Sequence, residues 1–468
     1  MKTFTIERSQ SGRGLAPRLA VGLLAVALAG CNTDSLVQLD DPDLITGAVA
    51  RDTANIASLR NGVIYEFSRA VGGTAANNET PGLVGVTGLF ADELWYASTF
   101  NSMQDIDRRS IVDLTNSDLT RVFQRIQRAR NISEQALGQY AAAGKTNSVD
   151  AAMLTNFAGY SYIFLAENFC NGVPISTTTL TGDLTYGAPQ STQALLDSAT
   201  NRFNSALALA NAVGSTAATQ QYAARVGIGR ALLDAGRFTE AAAAVASVPT
   251  SFVFNAPYSE NSTGQNNGVW YNINSEKRTS AASGEGVNGL VFFRRAARPT
   301  GSPANFNSTD PRVLVDSVGR GLSTTVPLYA QNKYPTRGTV IPVASGVEAR
   351  LIEAEAALNK GTSAAYIPLL NTLRQSVGIT TPLTDPGAGN PRVRQFFQER
   401  AFFLWLTAHR LSDLRRMIRQ YGFTQDQVFP TGQTIFGSPY GSDVNLPIPF
   451  QERNNPEFTS GQCTDRNA

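Results

Sequence analysis

The residues best suited to chemistry stand in ERAFFLWLTAHRLSDLRR, residues 399–416, which holds the chain's only histidine, His409. An imidazole beside Arg410, with Asp413 close behind, has the composition of a general base and its neighbours. Covalent catalysis would need a marked nucleophile next to that base, and metal chemistry would need further His or Cys at ligand spacing. The sequence marks neither. Helical spacing offers another use for the same residues. Phe396, Phe403, Leu406 and Leu414 fall on a common face, and Glu399 and Arg410 lie about three turns apart on one side. Charges beside aromatics in such a helix are expected to pair in a buried network that locks two helices together. Glu399, His409, Arg410 and Asp413 are therefore read as structural, and the chain as a non-enzyme without metal or cofactor. An anchored glycan hydrolase is the surviving catalytic alternative, because paired carboxylates about 5–10 Å apart leave no trace in sequence.

Binding chemistry is better signposted. Trp270 and Tyr271 stand among Asn266, Asn267, Asn272 and Asn274, in a stretch rich in Asn, Gly and Ser. The segment FADELWYASTFNS, residues 90–102, repeats that composition with Trp95, Tyr96 and Asn101. Flat rings rimmed by amides suit a sugar, offering an apolar face and a hydrogen-bonding edge. Trp95, Tyr96, Asn101, Trp270 and Tyr271 are the candidate ligand-binding residues.

The elements that must position them are mostly helical. Met153, Phe157, Tyr160 and Phe164 recur at steps of 4, 3 and 4, which gathers them on one helix face. Residues 223–245, AARVGIGRALLDAGRFTEAAAAV, read as two helices stopped at Gly236, with small side chains that permit close approach. This resembles a tetratricopeptide hairpin. A second candidate hairpin starts at GVEARLIEAEAALNKG, residues 346–361, so a protein-binding scaffold is an alternative function. Between the hairpins, residues 251–345 read as long loops with a few short strands.

The N-terminus sets the compartment. Lys2, Arg8, Arg13 and Arg18 against Glu7 give the first thirty residues a net charge of +3; the whole chain is +2, so the remainder is −1. That leaves no basic field for nucleic acid. The apolar run LAVGLLAVALAG, residues 19–30, is too short to span a bilayer, which takes about 20 residues, but suits a signal-peptide core. It ends at Cys31 in LAGC, which resembles a bacterial lipobox. The expectation is a signal peptide at 1–30, a lipidated tether at 31–50, a helical region at 51–250, a loop-rich ligand region at 251–345 and a C-terminal region at 346–468. Cys170 and Cys463 remain as an even pair in an exported chain, for which a disulfide is the plainest use.

Several motifs in order resemble the SusD/RagB family. They are Glu399-Arg400, His409-Arg410 and Asp413-Leu414-Arg415-Arg416, then Leu446-Pro447-Ile448-Pro449 with Glu452 and Asn455-Pro456, and earlier GYSYIFLAENFCNGVPIS at 159–176. The sequence departs from the family pattern at Phe403 and Thr407, where acidic residues are common, and at Ala408, where glycine is. The resemblance implies a mainly α fold of tetratricopeptide-like hairpins with a loop-rich region and a few short strands. It also implies a surface-exposed lipoprotein of the bacterial outer membrane, facing the exterior. Its partners would be an oligosaccharide or peptide ligand and a TonB-dependent transporter that receives it.

Overall fold

Small side chains decide how closely the central helices pack. In this computed structural model, α1 (Ile56–Gly72), α2 (Leu83–Phe90), β1 (Leu94–Tyr96) and α3 (Asn101–Asp107) lead into the long α4 (Ser117–Ala142) and α5 (Val149–Asn168). Then come α6 (Thr192–Val213), α7 (Ala218–Asp234) and α8 (Phe238–Val245). Asn116, Ser148 and Ser191 start α4, α5 and α6 by accepting from otherwise orphaned amides two or three residues on. Nearly every residue of α5 is buried, so the face predicted from Phe157, Tyr160 and Phe164 is one side of a helix covered all round. Phe203 of α6 fits between Gly159 of α5 and Gly227 of α7. A Cβ at either glycine would lie 2.7 or 2.4 Å from its ring.

The structure describes residues 55–76, 81–111, 115–179, 182–282, 310–359, 365–458 and 468. The signal peptide, tether and lipidated Cys31 lie outside the described residues, as does Cys463. Cys170 is itself buried just past α5, where its amide donates to the Leu446 carbonyl at 2.9 Å.

The two candidate hairpins are separated in sequence but joined in space. The chain leaves the helical stack after α8 through β2 (Val253–Ala256) and passes through β3 (Thr279–Ala281), β4 (Val315–Arg320) and β5 (Pro327–Gln331). It returns through β6 (Ile341–Ser345) into α9 (Gly346–Asn359) and α10 (Tyr366–Ser376). Strands β2 and β6 pair antiparallel, so the excursion is clamped at its own neck. Helix α9 then packs on α8 and α7, and the stack continues. All sheets among the described residues are two-stranded, which agrees with a mainly α architecture carrying a few short strands.

The C-terminal motifs close this body. Helices α11 (Asn390–Phe403) and α12 (Arg410–Tyr421) are separate elements. The turn between them holds Leu406 and Ala408 at positive φ, 54° and 62°, a region unfavourable to residues with a Cβ. The expected continuous helix is thus broken, and counting turns from Glu399 to Arg410 does not place them together. Leu446 forms a parallel bridge to Phe169, and Arg415 reaches the carbonyls that end α5. The motifs at 159–176, 409–416 and 446–456 therefore meet at one end of α5.

Candidate functional site

The histidine lies in a sealed electrostatic cluster. Arg230 of α7 grips Glu167 of α5 through two contacts of 2.6 Å, and its Nη1 lies 2.7 Å from His409 Nε2. Glu348 of α9 approaches the same ring nitrogen at 3.1 Å, and Nδ1 lies 2.9 Å from the Thr407 carbonyl. All four side chains are at most 3% exposed. Burial, then the Arg230 cation, push His409 below its ordinary pKa. A neutral imidazole without access to solvent orients neighbours; it does not exchange protons with a substrate.

The rest of the expected network divides differently from the sequence reading. Asp413 accepts from Arg400 at 2.8 and 3.0 Å and from Arg416 at 2.7 Å, while Arg416 also engages Glu355 and Asp234. Arg410 turns toward Asp92, 3.4 Å away. Glu399 belongs to another cluster, held at 2.5 Å by both Arg312 and Arg374. Each of these side chains has a charged neighbour, but the break at 404–409 gives Glu399 and Arg410 their own partners, and the four do not form the single network expected.

The two aromatic stretches, far apart in sequence, are joined directly. Strand β1 pairs antiparallel with β3, with Tyr96 opposite Thr279 and Trp95 opposite Ser280. The pairing extends through the Ala97 amide, which donates to the Arg278 carbonyl at 2.7 Å. It has opposite consequences for the candidate residues. Trp95 is 4% exposed, packed with Ala97, Ala282, Val326 and Tyr329, and Tyr96 is 1% exposed. Both are core residues here, which corrects their assignment to a ligand-contacting surface. Asp107, buried beside them, accepts from the Tyr96 amide at 3.0 Å, and desolvation raises its pKa to about 8.

The residue that emerges at this edge is Phe100, 53% exposed at the start of α3 and followed by exposed Asn101. The Arg278 guanidinium lies over the Phe100 ring, 4.9 Å from its centre. Arg278 pairs with Glu276, whose carboxylate lies near the half-buried Tyr271 and, after burial, helps raise the phenol's pKa. Tyr271, Glu276, Arg278, Phe100 and Asn101 thus form one continuous surface chain. Trp270 is partly exposed next to it, with its indole N–H fixed on the Pro335 carbonyl at 3.1 Å and Arg337 over its ring. Sequence reading missed Phe100, although it lies inside the quoted 90–102 segment, because composition does not say which ring of a run emerges.

This surface has the chemistry of a binding face: one well exposed aromatic ring backed by a cation, a phenol and amide and carboxylate groups at its rim. Among the described residues no group of three or more His, Cys, Asp or Glu is placed to hold a metal ion.

No protein-family model matches the chain, and no curated protein does. Solved structures do. A SusD superfamily protein from Bacteroides vulgatus ATCC 8482 superposes with a TM-score of 0.60 at 15% identity, covering 87% of this chain and 98% of that one. A SusD-like carbohydrate binding protein from Bacteroides fragilis NCTC 9343 gives 0.61 at 15% identity, over 87% and 99%. Surface glycan-binding protein A from Bacteroides thetaiotaomicron gives 0.58 at 12% identity, over 88% and 99%. The chain has the SusD-like fold, as its motifs led one to expect.

Proposed function

We propose that this chain is a non-catalytic SusD-like lipoprotein of the outer membrane that binds a glycan at the cell exterior and passes it to a TonB-dependent transporter. The observation that carries the binding reading is the β1–β3 pairing, which brings the two aromatic and amide-rich segments onto one edge and leaves Phe100, Asn101, Tyr271 and Arg278 accessible there. Two of the similar structures are of proteins named for carbohydrate or glycan binding, which supports the ligand class. A ring that stacks on a sugar, with polar groups at its rim, gives affinity without a covalent step. The anchor, the exterior placement and the transporter rest on the LAGC motif and on the family resemblance. The proposal includes a Cys170–Cys463 bridge tying the tail to the end of α5.

A glycan and peptide array probed with the mature protein tests the ligand class. Glycan signals that fall on Phe100→Ala support the reading. Peptide signals alone, or glycan signals indifferent to that substitution, overturn it. Co-purification of the native anchored protein with an outer-membrane barrel tests the transporter half separately.

A further inference from the structure

We infer that the glycan taken at this face is anionic, carrying carboxylate or sulfate groups; the inference rests on the glycan-binding reading. Its basis is the charge balance around Phe100. The solvent-reachable carboxylates bordering the edge have cations of their own: Glu276 has Arg278, Asp105 has Arg108 and Asp118 has Arg121, while Asp107, 2% exposed, is buried beneath it on the Tyr96 amide. Among the described residues, Lys277 and Arg320 at this edge have no carboxylate within ion-pair distance, and both are exposed, as is Arg337 over Trp270.

Backbone packing sets both residues at the same edge. Lys277 adopts a φ of 58°, and its carbonyl accepts from the Leu322 amide at 2.8 Å. Gly321, next to Arg320, sits so close that a Cβ there would lie 2.5 Å from the Ala97 Cβ and 3.2 Å from the Lys277 carbonyl oxygen. The Ser323 amide donates to the Ala97 carbonyl at 2.8 Å, which lays the 321–326 loop along the strand that runs into Phe100. Arg320 Nη1 is steadied on the Thr325 carbonyl at 2.8 Å, leaving its charge uncompensated. Asp316 stands at the other end of β4, four residues or about 13 Å along an extended strand, where Asn332 donates to it. In a chain with only 16% charged residues, two unmatched cations beside an exposed ring favour an acidic ligand over a neutral one of the same shape.

Three probes decide it by calorimetry with the full mature chain: a galacturonate oligomer, the same oligomer with its carboxylates reduced to neutral galactose, and a sulfated galactose oligomer. At low salt one or both anionic probes should bind about tenfold tighter than the neutral one. That margin should shrink several-fold in 0.5 M salt, where the Debye length falls to a few ångström. The Lys277→Ala, Arg320→Ala double variant should keep its melting temperature and lose most of the preference. Which anionic probe leads distinguishes carboxylate from sulfate. Equal binding of the neutral and anionic probes overturns the inference while leaving glycan binding standing. Binding of none of the three overturns it too, and the array of neutral glycans then judges the broader reading on its own.

Discussion

Arg230 and His409 come within 2.7 Å of each other, guanidinium Nη1 to imidazole Nε2, inside a core that solvent does not reach. A guanidinium can only donate, so a protonated imidazole at that distance would set two cations and two N–H groups against one another. A neutral ring accepting from Arg230 removes the conflict, and its Nδ1–H can then donate to the Thr407 carbonyl at 2.9 Å. The arrangement ties α7 to the turn before α12; in this tautomer Nε2 cannot donate to Glu348, so the links to α5 and α9 run through Arg230, which pairs with Glu167 at 2.6 Å and with Glu348 at 3.8 Å. The Arg230–His409 pair is therefore a structural link between four elements.

Asp413 is the counterpart on the next turn, and its removal should be costly. Its carboxylate is 1% exposed and bonded by Arg400 and Arg416, so Asp413→Ala leaves two buried guanidinium groups short of a partner. Breaking such a pair costs about 3–5 kcal/mol, and denaturant unfolding at pH 7 should show a loss of that size. Burial opposes ionisation of Asp413, but Arg400 and Arg416 outweigh it and lower its pKa to about 2. A depressed carboxylate stabilises the fold above its unfolded value and loses that contribution as pH falls through the folded one. The wild type should thus lose on the order of 2 kcal/mol between about pH 4 and pH 2 that the variant never had. Loss of glycan binding with unchanged stability would reassign the residue to the site.

Local patterns were legible and distant ones were not. The α7–α8 hairpin shows in the sequence because its signals, small residues and a stop at Gly236, lie within one short segment. The partners of Glu399 do not, since Arg312 lies 87 residues and Arg374 25 residues away, on other elements. Trp95 and Phe100 have equal claims by composition. Their opposite fates follow from β1 pairing with a strand some 185 residues later, information that no local window holds.

Glu93 should make the protein less stable as pH rises. Desolvation lifts its pKa to about 8, although its Oε1 accepts from the Leu406 amide at 3.0 Å. A raised carboxyl is neutral in the fold but ionised in the unfolded chain above its ordinary value near 4.5. Its contribution is complete below that value and lost as pH climbs through about 8. Glu93→Gln keeps an acceptor for Leu406 and removes the titration, so its melting temperature should fall less than wild type between pH 5 and 9. Parallel curves would show that Glu93 is ionised throughout.

Trp95 and Phe100 should respond in opposite ways to truncation. Trp95→Ala removes a buried indole and should cost about 3–5 kcal/mol of stability. Phe100→Ala removes a side chain that is 53% exposed, and should leave unfolding within about 1 kcal/mol of wild type. Its glycan affinity should nonetheless drop roughly tenfold or more, in line with aromatic anchors at other interfaces. A destabilised Phe100→Ala with intact binding would place the ligand elsewhere.

Ala408 occupies a backbone position that suits glycine, with φ at 62°. A left-handed residue with a Cβ is strained by about 1–2 kcal/mol, partly offset by the greater unfolded-state freedom of glycine. Ala408→Gly should therefore stabilise the protein by about 0.5–1 kcal/mol in denaturant titration. The sequence resemblance had marked this position as one where glycine is common, and the turn supplies the reason. A destabilised variant would mean that the methyl group's packing, at 2% exposure, outweighs the strain.

The two ends of the chain can be examined in one mass-spectrometric experiment on protein extracted from cells. If LAGC directs processing, the mature chain begins at Cys31 and carries acyl chains, each adding about 0.8 kcal/mol of membrane affinity per buried CH₂. Cys31→Ala should then appear without that added mass and leave the detergent phase. Cys170 and Cys463 should resist alkylation until a reductant is added, then take up two labels. Closing a loop of almost three hundred residues, the bond is worth roughly 4–5 kcal/mol in chain-entropy terms, so reduction should lower the melting temperature as well. An unprocessed chain retained in the aqueous phase removes the anchor. Two thiols labelled before reduction remove the bridge, leaving Cys170 as a buried side chain at the end of α5.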